Sequence, residues 1–159
     1  HSTVGRITPS TIKSESYPME IHKLFPDIHV SGEACPMWVS LVENNEAQSP
    51  GADYFIQKYI DALLHKDRQI DTVILGCTHY PLLLPKIKHF MPDGIEIVSQ
   101  GEYVAESLKD YLHRHPEIAA KCTKNGKCTF CTTEAEEKFI ESASTFLNED
   151  ITVKRVVLE

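Results

Sequence analysis

The chain has 159 residues, room for one domain or one and a fraction. At that length a chain buries roughly 68–70% of its unfolded surface, so it needs no disulfide or metal staple to fold. Its 42% hydrophobic and 25% charged content is ordinary for a soluble globular protein, and a net charge of −7 argues against a nucleic-acid backbone as partner, since phosphate binding needs clustered Lys and Arg. No apolar run approaches the roughly 20 residues of a membrane span, so no membrane partner is expected. His1-Ser2-Thr3 does not begin a signal peptide, because no basic segment precedes an apolar one. His1-Ser2 fits a cloning scar, and the lack of an initiator Met fits a chain cut from something longer. The five cysteines, Cys35, Cys77, Cys122, Cys128 and Cys131, are odd in number and irregular in spacing. They make no disulfide framework and point to a reducing, cytoplasmic compartment.

In chain order, Val4–Thr8 reads as a short strand, followed by a loop with Thr11 as a candidate N-cap. Ile12 to Phe25 reads as a helix that Pro18 bends or splits. Ile28–Gly32 is a second strand, and Met37–Glu43 a short helix. Ser49-Pro50 opens a longer helix, with Pro at the first helical position. Phe55, Ile56, Tyr59, Ile60, Leu63 and Leu64 line one of its faces. Ile70–Leu75 is apolar on both faces, as a central parallel strand covered on both sides must be.

A helix over about Leu82–Phe90, a turn at Pro92-Asp93-Gly94 and a strand at Ile95–Val98 follow. Val104, Ala105, Leu108, Tyr111 and Leu112 mark a further helix. Beyond an irregular stretch at 113–126, Lys127–Thr132 is a strand candidate and Thr133 to Glu136 fits a capping box. A last helix carries Phe139, Ile140, Ala143, Phe146 and Leu147, and Ile151–Leu158 forms a last strand. Strand and helix alternate, which predicts an α/β fold with a parallel sheet flanked by helices. A C-terminal β-α-β segment follows that sheet.

Chemistry concentrates at Gly76-Cys77-Thr78-His79-Tyr80-Pro81, directly after the apolar strand. In open α/β sheets ligands bind beyond the carboxyl ends of the strands, and Cys77 is placed there by sequence order. With an extended backbone, residues 77 and 79 share a face and Thr78 points the other way. An imidazole beside a thiol can share its proton. Thr78 supplies a hydroxyl and a backbone N–H, and the following helix start offers donors to an anionic substrate. The bland alternative is a packed small residue at Cys77 and a helix-capping His79. Cys128-Thr129-Phe130-Cys131 is a Cys-x-x-Cys, but a strand there would turn its thiols to opposite sides, so no metal site is expected. His22, His29, His65 and His89 read as surface residues, Trp38 as core, and Glu134, Glu136 and Glu137 as dipole-complementing charge.

Leu75-Gly76-Cys77-Thr78-His79-Tyr80-Pro81-Leu82-Leu83 resembles the second cysteine motif of the glutamate racemases. Further segments resemble that family: Ile7-Thr8-Pro9-Ser10-Thr11, Glu33-Ala34-Cys35-Pro36 with Leu41-Val42-Glu43, Phe130-Cys131-Thr132-Thr133, and Phe146-Leu147. The resemblance implies cofactor-independent interconversion of L- and D-glutamate for bacterial peptidoglycan. Two cysteines work as acid and base on opposite faces of the α-carbon. It implies that Cys77 is the second cysteine, that His79 tunes or protonates it, and that Thr78 contacts substrate. It places Thr8 and Thr11 near the substrate carboxylate, and Glu43 near the histidine and the substrate amine.

The family's Asp-Ser-Gly, Pro-Tyr-Gly and Cys-Asn-Thr-Ala segments, the last bearing the first catalytic cysteine, do not occur in these 159 residues. Arg6 and Ser10 stand where the family usually has an apolar residue and a glycine. The expectation is a C-terminal portion: residues 1–100 as one lobe, and 101–159 as a return segment that completes the other. Such a portion holds one of two bases and is inactive alone. Its partners would be glutamate and the missing N-terminal lobe, with a homodimer open to it. The competing readings are a non-catalytic amino-acid-binding or oligomerising module, and a racemase of aspartate or another amino acid.

Overall fold

The computed structural model describes residues 2–9, 15–126 and 128–158. They group into two compact units, 1–106 and 107–159, with the division inside one helix.

The first unit begins with β1 (Thr3–Thr8), α1 (Ser16–Leu24), β2 (His29–Ala34), α2 (Pro36–Glu43), α3 (Pro50–Lys66) and β3 (Thr72–Leu75). A single 3-10 turn, Tyr80–Leu83, leads into α4 (Leu84–Phe90); β4 (Glu96–Ser99) and α5 (Gln100–Arg114) follow. The sheet order is β2-β1-β3-β4, and every neighbouring pair is parallel. The chain steps outward from β1 to β2, then returns to lay β3 on the other side of β1. That makes β1 and β3 the topological switch point, where the crevice of an open α/β sheet lies.

One face of this sheet carries the core. Ile7, Val73 and Leu75 pack with Trp38 and Leu41 of α2, with Ile56, Ile60 and Leu63 of α3, and with Ile87 of α4. Ala52, Ile56, Ile60 and Leu63 are the buried stripe of α3, at helical spacing. Burying each of the larger apolar side chains contributes about 1.5–3 kcal/mol. Ser49 caps α3, its hydroxyl accepting from the Ala52 N–H at 3.2 Å. Lys86 of α4 pairs with Asp53 and donates to the Ser49 carbonyl at 3.2 Å, pinning α4 to the start of α3. At the other end of α3, Lys66 reaches β2, donating to the Gly32 carbonyl at 2.8 Å and pairing with Glu33 at 2.6 Å. The opposite face is thinner. Arg6, 3% exposed, lies over the Tyr17 ring of α1, which buries no residue of its own.

Several local expectations change. The first helix begins at Ser16, so Pro18 sits in its first turn, where a missing N–H costs nothing and no kink results. Thr11 lies outside the described residues. The Pro92–Gly94 turn is present, with Gly94 at φ +89°, a left-handed conformation that glycine adopts without steric cost. α5 spans a longer stretch than its apolar spacing marked and buries none of its residues; Tyr103, Val104, Leu108 and Tyr111 are exposed.

The second unit contains α6 (Pro116–Ala119), β5 (Phe130–Thr132), α7 (Glu136–Leu147) and β6 (Val153–Arg155). β5 and β6 pair in parallel, with Cys131 opposite Lys154, so this is the expected β-α-β segment. The expected capping box does not form. Ala135 stands at the N-cap, and the Thr132 hydroxyl accepts from the Glu134 N–H at 3.1 Å. The Glu136 carboxylate instead accepts from the Arg155 N–H at 2.8 Å. A strand N–H left without a partner outcompetes the helix end for that carboxylate. No helix among the described residues is long and apolar enough to cross a membrane.

Candidate active site

Three strand ends converge beyond the sheet. Thr8 ends β1 opposite Ala34 of β2, and its carbonyl accepts from the Cys35 N–H at 2.7 Å. Ile7 lies opposite Leu75, and its carbonyl accepts from the Gly76 N–H at 2.8 Å. The chain leaving β3 therefore passes directly over the end of β1. A Cβ on Gly76 would sit 3.0 Å from the Ile7 carbonyl oxygen and 3.1 Å from Thr8 Cγ2, so a side chain at this crossing requires those atoms to give way by a few tenths of an ångström.

After Gly76 the backbone turns. The backbone is not extended through residues 77–79: it makes a bend in which the Tyr80 N–H reaches the Cys77 carbonyl at 3.3 Å and the Leu82 N–H reaches that of His79 at 3.2 Å. Pro81 supplies the reason, with its φ preset for a helical first turn. The turn still brings residues 77 and 79 together, Cys77 Sγ lying 3.6 Å from His79 Nδ1. His79 Nε2 in turn lies 3.3 Å from Glu43 Oε1, at the carboxyl end of α2. Thiol, imidazole and carboxylate thus stand in series. Cys77 and His79 are half-buried, while the Glu43 side chain is 61% exposed. Thr78 is exposed on the same turn.

A carboxylate only accepts, so Glu43 beside Nε2 favours the tautomer with hydrogen on Nε2. Nδ1 is then an acceptor facing the thiol, the arrangement in which an imidazole takes or returns a thiol proton. The structure brings Cys77, His79 and Glu43 into one chain, and sets Thr8 beside Gly76 at the same strand ends.

Four neighbours of this site, Tyr17, Gln100, Trp38 and Tyr80, are given no role in it by the sequence. Tyr17 comes within 3.4 Å of the place a Gly76 Cβ would take, and the Gln100 amide donates to its hydroxyl. Trp38 and Tyr80 meet edge to face beneath the turn, ring centroids 5.0 Å apart. Only Trp38 stands out in the sequence, as a core aromatic. Cys35 is fully buried; burial pushes its thiol up, Glu33 adds to this and Lys66 opposes it. Cys122, Cys128 and Cys131 are exposed. Among the described residues no group of three or more His, Cys, Asp or Glu could hold a metal ion.

No family model matches the chain. Individual proteins do. The chain is 34% identical to the glutamate racemase of Streptococcus uberis over 161 residues, covering 99% of this chain and 60% of that protein. It is 37% identical to that of Streptococcus agalactiae over 154 residues, covering 95% and 56%. Among solved structures, a Bacillus anthracis glutamate racemase isoform superposes with a TM-score of 0.85 at 34% identity, over 98% of this chain and 57% of that one. The Francisella tularensis glutamate racemase in complex with D-glutamate gives 0.84 at 28%, over 99% and 58%. Fold and site together define a parallel α/β lobe of the racemase type, with polar groups gathered at its switch point. Over the shared length, this chain is similar to the glutamate racemases. It spans little more than half the length of the curated relatives it matches.

Proposed function

We propose that the chain supplies one of two proton-transfer thiols in the racemisation of glutamate, the D-isomer serving peptidoglycan. Cys77 is that thiol, His79 its proton partner, and Glu43 the group that holds the His79 tautomer. The observation that carries this reading is the series from Cys77 Sγ to His79 at 3.6 Å and from His79 to Glu43 at 3.3 Å, at the switch point of the sheet. In the forward direction the Cys77 thiolate takes the α-proton, and the electron pair of the C–H bond stays on the α-carbon. A second thiol then delivers a proton to the opposite face, and the roles reverse for the other enantiomer. His79 moves the proton on and off Cys77 between turnovers. Thr78, Thr8 and Thr11 hold the substrate carboxylates through hydroxyl and backbone N–H donors. A positioned acid or base of this kind contributes about 10²–10⁴-fold in rate.

The second thiol belongs to a partner lobe, and 101–159 is the segment that completes that lobe. D-Glutamate carried by the Francisella relative supports the substrate. The test is α-proton exchange of L- and D-glutamate in deuterated water. The 159-residue chain alone should give neither exchange nor racemisation. Adding a family N-terminal half should restore both, and Cys77→Ser should abolish them. Turnover by the chain alone at the rate of an intact racemase would refute the shared-thiol reading. Restored turnover that persists in Cys77→Ser would refute the role of Cys77.

A further inference from the structure

The polar series depends on two elements meeting at one distance. Glu43 rides on α2, and His79 rides on the turn after β3. Glu43 is largely exposed, so its carboxylate is placed by where α2 ends. α2 is held five residues earlier, at Trp38, about 7.5 Å back along the helix axis. Trp38 is fully buried, its Nε1 donates to the Phe55 carbonyl of α3 at 3.2 Å, and its ring meets Tyr59 edge-on at 6.3 Å. The other face of this anchor is Tyr80, the residue next to His79, with centroids 5.0 Å apart at 75°. Tyr80 is also fully buried, and its hydroxyl has no hydrogen-bond partner among the described residues. A buried hydroxyl without a partner costs about 1–3 kcal/mol. What this residue contributes is therefore its ring.

We infer that the Trp38–Tyr80 ring pair is a positioning brace that sets the Glu43–His79 distance and so the His79 tautomer presented to Cys77. The inference rests on the proposed relay through these three polar groups. An edge-to-face pair is worth about 0.5–1.5 kcal/mol beyond the area it buries, and its geometry is directional. Losing the Tyr80 ring lets the turn settle away from α2, while the sheet itself keeps its pairing.

The test reads His79 directly on the 159-residue chain, independently of glutamate turnover. Long-range 1H–15N correlations at pH ~8, above the ordinary imidazole range, report the tautomer. Peptide-level mass spectrometry of iodoacetamide alkylation reports Cys77 apart from the three exposed thiols. Wild type and Tyr80→Phe should both show His79 protonated at Nε2. Tyr80→Leu should show mixed tautomers, with Cys77 alkylated about fivefold more slowly, as for residues coupled through contact. Combined with Glu43→Gln, Tyr80→Leu should slow it no further. A folded Tyr80→Leu with the wild-type tautomer and rate overturns the brace, and so do losses that add in the double variant. If Tyr80→Leu does not fold, Trp38→Leu, which removes the other ring of the pair, decides: an unchanged His79 signature overturns the brace. If Glu43→Gln itself leaves His79 unchanged, the relay falls and the brace with it. A changed Glu43→Gln beside an unchanged Tyr80→Leu removes the brace alone.

Discussion

Gly76→Ala should destabilise the fold although it adds only one methyl. The new carbon would lie 3.0 Å from the Ile7 carbonyl oxygen, 3.1 Å from Thr8 Cγ2 and 3.4 Å from the Tyr17 hydroxyl. The tightest of these is a backbone atom that already accepts the Gly76 N–H at 2.8 Å. It cannot withdraw easily, because β1 is paired on one side with β2 and on the other with β3. Overpacking of this kind costs about 1–3 kcal/mol. Restricting the unfolded chain offsets about 0.4–1 kcal/mol of that. The net expectation is a loss of about 1–2 kcal/mol, which lowers a urea midpoint by roughly 0.5–1 M at a slope near 2 kcal/mol per M. Trp38 is the single tryptophan and is fully buried in this core, so its fluorescence reports the transition. Gly101→Ala is the contrast. Nothing lies within 4 Å of its Cβ position in α5, and the change should be neutral or stabilising by up to about 1 kcal/mol. An unchanged or raised midpoint for Gly76→Ala would refute the claim that β1 cannot give way at this crossing.

Ser49→Ala removes the hydroxyl that accepts the Ala52 N–H and should cost about 0.5–2 kcal/mol in the same denaturation assay, while Ser49→Gly costs only a few tenths. Under native conditions Cys122, Cys128 and Cys131 should alkylate readily and Cys35 only on unfolding, as time-resolved mass spectrometry would show. Burial raises both Cys35 and Tyr80 in the folded chain, so the unfolded chain loses these protons first. The stability these two groups contribute is therefore fully present below pH 9.0, the ordinary Cys35 value, and is lost as pH rises above it; urea midpoints across the alkaline range check the sign.

Strand and helix alternation, the apolar run before Cys77 and the stripe of α3 were legible in one dimension, because each follows from a period of 2 or 3.6 in a single stretch of chain. The same holds for the turn at Gly94 and the start of α3 at Ser49-Pro50, which are local chemistry. The path of the backbone through Cys77–His79, which is not extended, and the capping box expected at Thr133 were not legible for one reason. Each was decided by a competing partner, the bend set before Pro81 in one case and the N–H of Arg155 in the other.

The candidate site divides the same way. Residues 75–83 announced a thiol and an imidazole at a strand end, and with them the racemase resemblance. That Glu43 closes on His79 needs α2 and the turn after β3 in one frame, 36 residues apart in the chain and 3.3 Å apart in space. So does the crowding at Gly76, since the obstacle is a carbonyl of another strand. Sequence by itself determined which groups could carry the chemistry. The tertiary structure decided which of them meet, because sheet order and packing against Trp38 and Tyr80 are long-range events that no local pattern encodes.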